Sequence, residues 1–184
     1  LAVAGVALAM LTACASAPER EFEGPWGAEF EQAYRAATNP FVKQVLRDGV
    51  VTDSEYAEMW ERFVACMNDA GFRVFGEAPG GAYRTDMPPG VTPEQAHGAA
   101  ERCWTSTGEA EIGSLYWWVK QNPDHEDTDK LMVDCLRREG VISEGYGVED
   151  FAKEKVTGEY SFSTDGENSD AFARCSDDPL GVFG

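Results

Sequence analysis

The chain has 184 residues, with 33 acidic side chains against 15 basic ones, a formal charge of −18 at pH 7 and two histidines, His97 and His125. Nothing on such a surface could neutralise a run of phosphates, which excludes a nucleic-acid binder, and a polybasic membrane-adhesive face is excluded for the same reason. Aliphatic and aromatic residues make up 43% of the chain, enough for a core, so wholesale disorder is excluded as well.

Residues 1–13, LAVAGVALAMLTA, are uncharged and apolar, and Cys14 follows them. The run is too short to span a bilayer and has the character of the apolar part of a secretory signal peptide. With no initiator Met and no basic segment ahead of it, the chain is expected to start inside that peptide. Leu11-Thr12-Ala13-Cys14 resembles the lipobox of bacterial lipoproteins, and in composition the chain resembles small secreted lipoproteins of high-GC Gram-positive bacteria. The resemblance implies that the Cys14 thiol carries a diacylglyceryl group, with acyl chains of the palmitate kind, and becomes the mature N-terminus. Each buried methylene of such a group contributes about 0.8 kcal/mol, so it would hold the protein on the extracytoplasmic face of the cell membrane. The alternative is an ordinary secretory peptide with an incidental cysteine. Residues 14–24 then form a short tether, and two helical parts are expected over 25–122 and 123–184.

In chain order, Trp26, Phe30 and Tyr34 stand four apart and mark a first amphipathic helix. Asn39-Pro40 reads as N-cap and first residue of a second helix, with Phe41, Val42, Val45 and Leu46 inward, stopped by Asp48-Gly49. Thr52-Asp-Ser-Glu55 is a capping box that opens a helix to about Ala70, with a stripe of Tyr56, Met59, Trp60, Phe63, Val64 and Met67. Phe72–Gly76 and Tyr83–Thr85 form a small hairpin around Ala-Pro-Gly-Gly-Ala. Thr92-Pro-Glu-Gln95 is a second capping box, for a helix through Cys103. Ile112, Leu115, Tyr116 and Val119 mark a helix ended by Asn122-Pro123, and Thr128 caps another that runs through Glu139. Shorter helices over about 147–156 and 168–176 complete a mainly α fold.

Setting Cys14 aside leaves Cys66, Cys103, Cys135 and Cys175, an even number that in an exported protein implies two disulfides and allows three pairings. Cys66-x₄-Gly71 and Cys135-x₄-Gly140 both read as a last helical turn with a glycine C-cap, while Arg102-Cys103 and Arg174-Cys175 both close a later helical stretch. The matched patterns predict Cys66–Cys103 and Cys135–Cys175, one staple in each of two related halves. Arg47-Asp-Gly-Val-Val-Thr-Asp53 recurs as Arg138-Glu-Gly-Val-Ile-Ser-Glu144, a second sign of relatedness. No CxxC pair is present and neither histidine sits at ligand spacing, so no metal ligands and no cofactor are assigned.

Asp48–Glu55 resembles the second half of an EF-hand calcium loop, with Asp48, Thr52 and Glu55 on ligand positions, but Leu46 occupies an earlier ligand position and the second copy has Tyr146 where the bidentate Glu belongs. A helix–cap–helix device accounts for the same residues. Asp124-His125-Glu126-Asp127 with Asp129 is a candidate weak cation loop, or a solvated helix N-terminus where acids are favoured. The chain lacks GxSxG, HExxH, SxxK and Walker patterns, so no catalytic residue is assigned.

At about 100° per residue, Trp117 falls almost opposite the face of Ile112, Leu115, Tyr116 and Val119, whereas Trp118 shares the buried edge beside Leu115. Trp117 is therefore either packed under a second element or an exposed contact residue, and Trp104 is expected to pack on its neighbouring cystine. The function expected is that of a lipid-anchored binding or structural module of the cell envelope, with the bilayer and an envelope protein as partners. A carboxylate-dependent envelope hydrolase and a small-ligand carrier are the alternatives. A convergent pair of buried acids would mark the hydrolase, and one large apolar pocket would mark the carrier.

Overall fold

Side-chain caps open the second, third and fourth helices where the sequence places them in the computed structural model, which describes residues 22–77, 81–162 and 165–183. After α1 (Gly27–Ala36), the Asn39 side chain accepts the Phe41 amide at 2.9 Å and starts α2 (Pro40–Leu46). Both halves of the Thr52–Glu55 capping box form at the head of α3 (Asp53–Asp69), and Thr92 with Gln95 does the same for α4 (Pro93–Thr107). Each such cap is worth about 1 kcal/mol. A two-stranded antiparallel hairpin, β1 (Arg73–Glu77) and β2 (Tyr83–Asp86), lies between α3 and α4, and part of its expected connection, residues 78–80, falls outside the described residues. The remaining helices are α5 (Ser114–Gln121), α6 (Thr128–Arg138), α7 (Val148–Thr157) and α8 (Glu167–Asp177). No described helix is long and apolar enough to cross a membrane.

The two staples are Cys66–Cys103, joining α3 to α4, and Cys135–Cys175, joining α6 to α8, with Cα separations of 5.7 and 5.6 Å. The matched Cys-x₄-Gly turns fold alike. The Phe72 amide donates to the Met67 carbonyl at 2.8 Å and the Gly71 amide to Asn68. In the second half Val141 donates to Leu136 at 2.9 Å and Gly140 to Arg137. Both are Schellman motifs with glycine at φ +89° and +73°. The other recurrent stretch diverges in its use. Thr52 caps α3, but Ser143 caps nothing, because the N-cap of α7 is Gly147, four residues later, where the Asp150 carboxylate accepts the Gly147 amide.

Two apolar clusters result. One gathers Phe30, Val42, Leu46, Met59, Phe63 and Ile112 from α1 to α5, and the other gathers Val133, Leu136, Ile142, Phe151 and Cys175 from α6 to α8. Burying each large side chain contributes about 1.5–3 kcal/mol. The clusters meet through a specific polar tie, the Gln121 amide donating to the Asp177 carbonyl at 2.8 Å, while the Arg138 guanidinium braces the second half from within by donating to the Pro179 carbonyl.

Three local expectations need correction. The fourth helix runs past Cys103 to Thr107. A π-helical segment, Glu109–Gly113, follows Gly108 and feeds directly into α5, so Ile112 precedes that helix instead of lying on it. The cap of α6 is Asp127, whose carboxylate accepts the Lys130 amide at 2.9 Å, and Thr128 is the first helical residue.

Candidate functional site

The junction of the two halves is organised by Trp26, which stands immediately before α1. Its indole N–H donates to the Asn122 carbonyl at 2.7 Å, tying the start of α1 to the end of α5. Asn122 is buried, and its side chain clamps the next loop by donating to the Glu126 carbonyl at 2.7 Å and accepting the Glu126 amide at 2.8 Å. His125, held at φ +52°, meets the Trp26 ring edge-on at 4.1 Å between centroids. Trp118 from α5 also stacks on Trp26, at 6.1 Å with 24° between planes.

These two indoles form one wall of a groove of about 470 Å³ that runs between the halves. The part of the lining from the second half is aromatic too: Phe151 stacks on Tyr160 at 5.7 Å, and Phe172 lies 5.2 Å from Tyr160. Leu131, Met132 and Cys175 also line it, which brings the second cystine to its surface. At the rim the Lys155 ammonium donates to both oxygens of Asp129 at 2.6 Å, so that cation is matched within the protein. The polar side chains of Gln121 and Asn122 are likewise committed to main-chain partners. The space left is of small-ligand size and mainly apolar.

On the other side of Trp118 lies a smaller cavity of about 260 Å³, whose lining includes Glu29, Ala33, Ala36, Glu111 and Leu115. Its carboxylates are unusual. Glu29 Oε1 lies 3.2 Å from His125 Nε2, yet Glu29 Oε2 and Glu111 Oε2 are buried and accept no hydrogen bond from the described residues. Nearby, burial pushes the Glu109 carboxyl above its ordinary range, and the charge of Glu111 adds to the shift. Trp118 is thus common to both cavities and is 49% exposed.

Trp117 is the packed member of the pair. Its indole N–H donates to the Tyr56 hydroxyl at 2.8 Å, and its ring meets Tyr56, Tyr116 and Phe183 edge-on. A Cβ on Gly81 would come within 2.8 Å of its Cδ1, so the hairpin and the C-terminal segment cover the side of α5 that faces away from Leu115. The exposed indole is instead Trp118, contrary to its expected place on the buried edge. Sequence periodicity registers one core face, and the second layer over Trp117 comes from residues distant in the chain. Trp104 donates to the Tyr83 hydroxyl at 2.8 Å.

The remaining candidates are dispersed. Glu55 spends its carboxylate on the capping box, accepting the Thr52 amide at 2.9 Å. In the acidic loop, Asp127 caps α6, Glu126 pairs with Lys130 and Asp129 pairs with Lys155. Among the described residues no group of three or more His, Cys, Asp or Glu is placed to hold a metal ion. Cys14 lies outside the described residues. Elsewhere on the surface, Lys120 and the Tyr116 hydroxyl both donate to Asp53, and these bonds hold its carboxyl below the usual range. The Tyr146 hydroxyl donates to Glu154 at 2.7 Å; burial and that carboxylate raise the phenol well above its ordinary value. Sequence reasoning missed the groove because Trp26, Trp118, Phe151, Tyr160 and Phe172 follow no shared spacing. No family model matches this chain, and neither a curated protein nor a solved structure does.

Proposed function

We propose that this protein is a membrane-anchored, extracytoplasmic binding module, tethered through acylated Cys14, whose ligand occupies the groove between Trp118 and Tyr160. The groove carries the binding part of this reading: about 470 Å³ lined by two stacked aromatic pairs, with the side chains of Gln121 and Asn122 already engaged. It favours the carrier form of the module over a purely structural role. Support for the address comes from the Leu11–Cys14 motif after an apolar run and from two cystines, which suit an oxidising compartment.

Crosslinking in intact cells followed by capture tests the module, and detergent-phase partitioning tests the anchor. The expected results are a captured species lost on Trp118→Ala and membrane partitioning lost on Cys14→Ser. Partitioning that survives Cys14→Ser overturns the anchor. A carboxylate-dependent hydrolase is the second reading, because Glu29 and Glu111 line one cavity. Turnover of envelope glycan that disappears in Glu111→Gln would favour it.

A further inference from the structure

We infer that the two cavities flanking Trp118 act as one site for a small amphipathic ammonium: an apolar alkyl or aryl tail carrying a protonated primary amine. The inference uses the groove reading above and is independent of the membrane anchor. The larger cavity supplies the tail's environment, lined by Phe151, Tyr160 and Phe172 together with Trp26 and Trp118. Its own cation, Lys155, is matched by both oxygens of Asp129, so the apolar compartment offers no free charge of its own to an anion. The smaller cavity supplies the opposite character. Two glutamates from different elements, α1 and the π segment, each leave a buried carboxylate oxygen without a hydrogen bond among the described residues.

A carboxylate in a partly dehydrated wall attracts a cation more strongly than one in bulk water, and of these two only Glu29 has a described ion-pair neighbour, His125 Nε2 at 3.2 Å from its Oε1. A primary ammonium seated in that cavity lies beside both glutamates and brings the opposite charge to them. Trp118 lines both compartments, and an aromatic face is itself favourable to an ammonium. The field of the whole molecule, at −18, draws the same class of ligand. An anionic amphiphile would fit the groove by shape and be repelled at the glutamate end.

The test is calorimetric titration of the full chain, disulfides intact, at pH 7 and about 0.15 M salt, where long-range attraction is screened. The probe is octylammonium, with 1-octanol and octyl sulfate as neutral and anionic counterparts. The expected result is saturable one-site binding of octylammonium, about tenfold tighter than 1-octanol, with no binding of octyl sulfate. Trp118→Ala should weaken it about tenfold. Glu111→Gln, which keeps the shape, should weaken octylammonium about threefold or more and leave 1-octanol unchanged. Glu58→Gln, on the exposed face of α3 where Glu58 pairs with Arg62, should change neither. Equal affinity for octylammonium and 1-octanol overturns the ammonium assignment while leaving the groove a binding site. An equal effect of Glu58→Gln and Glu111→Gln, or no saturable binding of octylammonium, overturns it as well.

Discussion

Replacing Trp117 with alanine should cost about 3 kcal/mol, while the same change at its neighbour Trp118 should cost less than about 1 kcal/mol. The Trp117 indole donates to Tyr56 at 2.8 Å, a bond worth about 1 kcal/mol net. Its ring also meets Tyr56, Tyr116 and Phe183 at centroid distances of 5.6, 5.2 and 5.3 Å. Each such pair adds about 0.5–1.5 kcal/mol beyond area burial. Because the side chain is only half-buried, the total belongs at the low end of the range for removing a core tryptophan. Trp118, at 49% exposure, has its main aromatic contact with Trp26. Urea titration with the disulfides intact reads the difference directly, and for a chain of this size a loss of 3 kcal/mol lowers Tm by about 6–12 °C. Trp117→Phe should recover most of the loss, leaving about 1 kcal/mol for the missing N–H donor. A Trp117→Ala cost within about 0.5 kcal/mol would place that indole in solvent and refute the second layer over α5.

Removing either disulfide by paired Cys→Ser changes should cost about 4 kcal/mol on the chain-entropy model, for sequence separations of 37 and 40 residues; non-reducing peptide mapping that found crossed pairs would contradict the fold. Gly108→Ala should cost several kcal/mol in the same titration, since φ is +82° and the new Cβ would collide with Val42 Cγ2. Glu109→Gln should stabilise the protein at pH 7 and lose that advantage as pH falls towards 4. A carboxyl whose folded pKa is raised binds more protons in the native state, so its ionisation weakens folding as pH rises above the unfolded value. A pH-independent effect would show that burial of Glu109 carries no linkage. Calcium at about 1 mM should leave Tm almost unchanged, because Glu55 is already engaged by the Thr52 amide and hydroxyl at 2.9 and 2.7 Å; a saturable rise lost on Glu55→Gln would overturn this.

Most helices, the caps of α2 to α4 and the matched turns that betray the cystine pairing were legible in the order of residues because each depends on groups a few positions apart. Asn39, Thr52 and Thr92 cap by bonding amides two or three residues ahead, and the apolar stripe from Tyr56 to Met67 follows the helical repeat. The Schellman turns after Cys66 and Cys135 need only a glycine and an apolar residue at fixed offsets, so two matched turns implied two matched staples. Where several acceptable local solutions compete, proximity along the chain stops deciding. Asp127 rather than Thr128 became a cap, and the turn after Gly108 wound as a π segment. The groove was decided by tertiary structure alone. Trp26 reaches Asn122 across 96 positions, and Tyr160 and Phe172 come to line one groove with Trp118 although they are 42 and 54 positions away in the chain. Periodicity records which face of a helix turns to a core, but it holds no record of what a distant segment lays over the opposite face. That is why Trp117 ended under Phe183 and Gly81 while Trp118 was left at the surface between two cavities.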